Sequence, residues 1–189
     1  MTDVEPSLAA QEIARIAARI DRPIALVGLM GVGKSTVGRN LANLISRKFV
    51  DADDAIEAAA RLSISEIFEE FGEAYFRDGE RRVIARLLDQ HSGVIATGGG
   101  AFVDEETRAL ILDKAIAVWI DCDIDTLVER TSRRDTRPLL KSGDPRTILT
   151  QLYTDREPFY SQSQVRVLSR DGPHVETAVT ILEAIDAWL

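Results

Sequence analysis

Cysteine is almost missing from this 189-residue chain: Cys122 stands alone. An internal disulfide is excluded, and a reducing compartment suits such a sequence. Cys122 follows an apolar run and reads as a structural thiol, not a reactive one. Long hydrophobic runs are missing too, and no stretch has the length a bilayer span requires. The first residues carry Asp3 and Glu5 without an apolar centre, so they do not read as a secretory signal. No internal repeat, low-complexity tract or linker breaks the chain. Positive charge is in deficit: 23 Lys and Arg face 31 Asp and Glu, for a net charge of −8. That balance argues against a general nucleic-acid binder. With 45% hydrophobic and 29% charged residues, the expectation is one cytoplasmic, monomeric globular domain without membrane or nucleic-acid partners.

Against this acidic background the segment Gly28-Leu29-Met30-Gly31-Val32-Gly33-Lys34-Ser35 fits the phosphate-loop pattern G-x-x-x-x-G-K-[S/T]. An apolar run, Ile24-Ala25-Leu26-Val27, leads in like a buried strand, and a helix-like stretch over 36–45 leads out. Its glycines let successive backbone N–H groups point at one anion, and the helix N-terminus adds partial positive charge. Gly31, Gly33, Lys34, Ser35 and Thr36 form the expected nucleotide-binding set. Lys34 reaches the β- and γ-phosphates, and the Ser35 hydroxyl ligates Mg²⁺. An acidic chain that binds an anionic nucleotide needs local cations. Arg130, Arg133, Arg134 and Arg137 fall together, opposed only by Asp135, and Arg77, Arg81 and Arg82 make a second group. Arg81 and Arg82 read as a solvated helix face.

Strand and helix patterns alternate five times. Helices are expected over 7–20, 36–45, 73–90, 105–112, 125–131, 145–158 and 175–188. Strands are expected over 24–27, 48–53, 93–97, 115–120 and 165–168. Ser63 and Glu66 have capping-box spacing before Ile67 and Phe68. Residues 1–22 read as an added N-terminal helical element whose apolar stripe packs on the body, and 23–189 as the domain proper. Residues 132–144 have loop character. The alternation predicts an α/β fold with a largely parallel sheet. Ligands of such folds bind at the C-terminal strand ends. The carboxylates after strand two, the glycines after strand three and the arginines beyond strand four should therefore converge on the phosphate loop.

Guanine-specific hydrolases carry N-K-x-D, which is missing here. Motor ATPases carry a strand ending in Asp-Glu, whereas the apolar strand ending at Asp121 runs into Cys122. Asp121 is read either as a cap of the next helix or as a metal-linked carboxylate. The pair Asp51-x-Asp53 says more. Two carboxylates just past a strand can share a cleft, one holding Mg²⁺ directly or through water and the other accepting a proton. Helix capping, with Asp54 as the cap, is the alternative.

These segments, with Phe76-Arg77-Asp78-Gly79-Glu80, Gly98-Gly99-Gly100, Arg137-Pro138-Leu139-Leu140 and Arg156-Glu157-Pro158-Phe159-Tyr160, resemble shikimate kinases in order and spacing over roughly 24–185. The resemblance implies a five-stranded parallel sheet with helices on both faces, like nucleoside monophosphate kinases, and a mobile lid near 132–144. It implies transfer of the ATP γ-phosphate to the 3-hydroxyl of shikimate, with Mg²⁺. Lys34, Asp53 and Arg137 then match the catalytic positions, with Asp53 binding the shikimate hydroxyls as base and Arg137 the lid arginine. Ser35 and Asp51 match the Mg²⁺ positions. Arg77 and Arg156 match the arginines on the substrate carboxylate, Gly98, Gly99 and Gly100 the pocket triplet, Glu80 a supporting acid, and Arg130 an arginine near the adenine. Read from chemistry alone, the triplet also suits a tight turn, and the two arginines suit surface salt bridges with Glu73 or Glu157. Gluconate kinases and a non-catalytic relative of kinases are the rival readings. Neither accounts for the arginine pair with the triplet and an intact Lys34, Asp53 and Arg137.

Overall fold

The computed structural model describes residues 8–90, 93–132, 143–170 and 172–189. Strands β1 (Ile24–Val27), β2 (Phe49–Asp51), β3 (Val94–Ala96), β4 (Ile116–Asp121) and β5 (Val165–Leu168) form one sheet in the order β2-β3-β1-β4-β5. Every pairing is parallel. Strands β1, β3 and β4 are buried throughout, which explains their unbroken apolar runs. The edge strand β5 alternates, with Val165 and Val167 inward and Arg166 and Leu168 outward. Cys122, just past β4, is buried, and desolvation pushes its thiol up to about 11.

Eight helices are described: α1 (Ala10–Arg19), α2 (Lys34–Leu44), α3 (Ala52–Ala60), α4 (Ile64–Gln90), α5 (Glu105–Lys114), α6 (Ile124–Ser132), α7 (Pro145–Tyr160) and α8 (His174–Trp188). The crossover from β1 through α2 to β2 runs one way along the sheet, while those from β2 to β3, β3 to β4 and β4 to β5 run the other way. Right-handed crossovers running in opposite directions put their helices on opposite faces. So α2, with α8 packed on it, covers one face, and α4, α5 and α7 cover the other.

Local chemistry explains the boundaries. Ser63 N–H donates to Glu66 Oε2 at 2.7 Å and Glu66 N–H to Ser63 Oγ at 3.2 Å, the expected capping box, which opens α4. Gly72 breaks that helix with φ 80° and ψ 175°, so the 73–90 stretch forms its second limb. Asp104 and Asp144 cap α5 and α7. Pro145 takes the first position of α7, where its missing N–H costs nothing.

Three local readings change. Asp53 lies in the first turn of α3, not beyond a strand end. The cap of α3 is Asp51, whose Oδ1 accepts from Asp53 N–H at 3.1 Å; Asp54 is exposed. Asp121 is neither a cap nor set for a metal. It accepts Cys122 N–H and pairs with Arg166 at 2.7 Å, while Asp123 caps α6.

Helix α1 packs on the body as its stripe predicts. Ile16 is buried, Arg15 and Arg19 pair with Asp186 of α8, and Arg47 donates to the Ala17 and Ile20 carbonyls at 3.0 and 2.6 Å.

Candidate active site

Sheet register sets the site. Asp51 lies beside Ala96, and Ala96 beside Leu26. The chain leaving β1 at Gly28, the chain leaving β3 at Gly98 and the start of α3 therefore emerge at one level. Thr97 locks two of them together, its Oγ1 donating to the Leu26 carbonyl at 2.9 Å. They open on one cleft of about 670 Å³.

The loop 28–35 wraps the start of α2, with Gly31 and Gly33 at positive φ. Lys34 Nζ donates to the carbonyls of Gly28 and Leu29, both at 2.8 Å, so its ammonium is curled across the loop. Ser35 Oγ donates to Asp51 Oδ2 at 2.6 Å. Asp51 thus couples the phosphate loop to the helix that carries Asp53.

Just past β3, Gly98 makes room for two carboxylates. A Cβ there would lie 2.9 Å from Asp53 Oδ1 and 3.1 Å from Glu80 Oε1. A Cβ on Gly100 would lie 2.8 Å from Arg77 Cζ. Gly98 and Gly100 thus leave room for the protein's own Asp53, Glu80 and Arg77 side chains. Glu80 is 1% exposed and accepts from Arg77 Nη1 at 2.6 Å. Glu73 also approaches Arg77, at 3.5 Å, so the salt-bridge reading of Arg77 is true and coexists with its place in the cleft. Arg156 donates to the Gly99 carbonyl at 3.1 Å and has no ion pair to Glu157 among the described contacts. Arg81 and Arg82 pair with Asp78 at 2.6 Å away from the cleft, as a solvated face should.

Burial raises the Asp53 carboxyl above the usual carboxylate range, Asp51 raises it further and Lys34 opposes the shift. Burial raises Glu80 likewise, against the pull of Arg77. The two acids have different partners: Glu80 is committed to an arginine, while Asp53 faces the cleft.

Arg130 ties the cleft's other end together. It donates to Val32 O at 3.3 Å, Ser169 Oγ at 3.1 Å and Arg170 O at 2.7 Å. Arg137 lies outside the described residues, as do Arg133, Arg134 and Asp135.

Several cleft residues carry no individual signature in the sequence, Phe76 appearing only within the segment around Arg77. Ile64, Phe68, Phe76 and His174 all line the cleft. They come from helices whose apolar residues read only as core. Tyr160 is buried and its hydroxyl donates to the same Gly99 carbonyl that Arg156 holds. Its spacing of four from Arg156 on α7 is the signal that could have paired them.

A Shikimate kinase family model matches residues 30–186. The chain belongs to the shikimate kinase family. Its activity is accordingly that of a shikimate kinase, an ATP-using enzyme of the shikimate pathway. A shikimate kinase of Novosphingobium aromaticivorans is 59% identical over 186 residues, covering 96% of each chain. One of Caulobacter vibrioides is 57% identical over 164 residues, covering 87% of this chain and 82% of that relative. The structure of shikimate kinase from Acinetobacter baumannii in complex with shikimate superposes with a TM-score of 0.84 at 35% identity, covering 90% of this chain and 96% of that one. A gluconokinase from Sinorhizobium meliloti reaches a TM-score of 0.57 at 18% identity, a likeness of fold alone. The family membership decides against the gluconate-kinase reading that the phosphate loop alone left open.

Proposed function

We propose that this cleft moves the γ-phosphoryl group of ATP to the 3-hydroxyl of shikimate, with Asp53 as proton acceptor and Arg77 and Arg156 as the carboxylate clamp. The observation that carries the reading is the placement of Asp53, Arg77, Glu80, Arg156 and Gly98–Gly100 in one cleft with Gly31, Gly33, Lys34, Ser35 and Thr36. The phosphate loop holds the triphosphate by its backbone N–H groups. Lys34 leaves the Gly28 and Leu29 carbonyls for the transferring phosphoryl group, where its charge acts most strongly. The shikimate oxygen forms a bond to the γ-phosphorus as the bond to the β-bridging oxygen breaks. ADP leaves with that electron pair, and the hydroxyl proton passes to Asp53. Burial raises the carboxyl's affinity for a proton, which suits that task. Glu80 holds Arg77 in position. Arg130 braces the nucleotide end, and Arg137 supplies charge from the segment between α6 and α7.

Ser35 and Asp51 suit Mg²⁺: a hydroxyl and a carboxylate 2.6 Å apart are hard oxygen donors. Among the described residues no cluster of three His, Cys, Asp or Glu could hold a metal. An ion held there would supply charge neutralisation to the bound phosphates. The protein is read as a cytoplasmic monomer. No described helix is long and apolar enough to cross a membrane, and sedimentation equilibrium measures the oligomeric state.

Calorimetry on Arg77→Ala and Arg156→Ala tests the clamp. Each variant should lose roughly 2–5 kcal/mol of shikimate binding, the typical cost of stranding one partner of a buried charged pair, with ADP binding unchanged. The double variant should lose less than the sum, because both donors serve one anion. Parallel weakening of ADP would move these arginines to the nucleotide and break the proposal.

A further inference from the structure

The nucleotide end of the cleft is closed by the turn from β5 into α8. Arg130 fastens that turn to the phosphate loop through Val32, Ser169 and Arg170. Pro173 then caps α8 with extended backbone, φ −61° and ψ 132°, and His174 is the first helical residue. Its fixed entry brings the half-buried imidazole onto Gly33: a Cβ there would stand 3.1 Å from His174 Cε1 and 3.3 Å from Nδ1. The ring thus lies on the phosphate-loop backbone and lines the cleft beside Lys34, Ser35 and Thr36.

The direction of a phosphate loop fixes what this wall meets. Its Lys reaches the β- and γ-phosphates, while the backbone before it cradles the α- and β-phosphates. Gly33 precedes Lys34, and Arg130 stands at the same end. We propose that His174 is a nucleotide-contact residue whose ring N–H donates to the α-phosphate and ribose segment of ATP and ADP. The inference rests on the nucleotide placement proposed above. Filling space over a glycine calls for an apolar side chain. An imidazole in a cleft built for phosphates adds a donor where a nucleotide passes. His174 has no place on the acceptor side, which is walled by α3, α4 and the glycine triplet.

Calorimetry of ADP, pyrophosphate and shikimate against the parent protein, His174→Phe and His174→Gln tests this. Phenylalanine keeps a ring over Gly33 without a donor; glutamine keeps a donor without the ring. His174→Phe should weaken ADP about tenfold, the loss of one good hydrogen bond to a charged group. Pyrophosphate and shikimate affinity should stay within about twofold of the parent. His174→Gln should recover most of the ADP affinity, and KM for ATP should follow the same order with kcat little changed. Parent-like ADP binding by His174→Phe would overturn the inference, because the ring would then only fill space. Parallel loss of pyrophosphate would overturn it as well, because the loop itself would have been disturbed. If the parent fails to bind pyrophosphate, the nucleotide placement falls first and this inference with it.

Discussion

Asp53 stands between opposing influences. Burial and Asp51 disfavour its charge, and Lys34 favours it. Its folded value lies above that of the unfolded chain, so between the two values the folded state binds more protons. Folding stability is undiminished below the unfolded value, about pH 3.9, and falls as pH climbs through the folded value. Asp53→Asn removes that loss. The ligand-free variant should melt above the parent at neutral pH, with the difference closing toward about pH 4. Turnover should fall about 10²–10⁴-fold, the usual contribution of a general base. Thermal scans across pH, paired with turnover, check both halves; a loss under about threefold would withdraw Asp53 as base. Residue types were legible where chemistry restricts them. Lys34, Ser35 and the Asp51-x-Asp53 pair stand out by identity and spacing, the two arginines only through the resemblance, and all of them line one cleft. The glycine triplet was legible as close approach, but not that Asp53, Glu80 and Arg77 are what approach. Phe68 and His174 were not legible, because an aromatic or a histidine on a helix looks the same whether it faces core or cleft.

At the level of elements, most boundaries follow from local signals. The Ser63–Glu66 box, the Pro145 start and the alternating β5 appear where the pattern puts them. Asp51, Asp53 and Asp54 misled because three acids within four residues offer three caps, and β2 ending at Asp51 makes that residue the cap. The N-terminal stripe announced a buried face but not its partner. That partner is α8, with Arg47 bonded to the carbonyls at the end of α1. Arg47→Ala should destabilise the fold by roughly 1.5–3 kcal/mol, the range for hydrogen bonds to a charged group, while KM and kcat stay unchanged. Urea unfolding measures the first and steady-state assays the second. A fall in kcat without loss of stability would mean that α1 reaches the active site.

Across the whole molecule, alternation of strands and helices predicted a parallel sheet but not its order. The order β2-β3-β1-β4-β5 depends on which distant strands meet, and five similar apolar runs do not say. The resemblance, and then the family match over residues 30–186, supplied the activity that a phosphate loop shares with many enzymes. The net charge of −8 is reconciled with anionic substrates by concentrating cations where they are needed, with Lys34, Arg77, Arg130 and Arg156 all lining one cleft. Coupling of ATP to shikimate in this one cleft is read by following ADP release and the phosphorus spectrum of the acceptor together. With ATP, Mg²⁺ and shikimate, ADP and an ester phosphate coupled to the proton at carbon 3 should form in equal amounts. Without acceptor, or with gluconate, ADP release should be near background. ADP release independent of shikimate, or an ester at another carbon, would contradict the account.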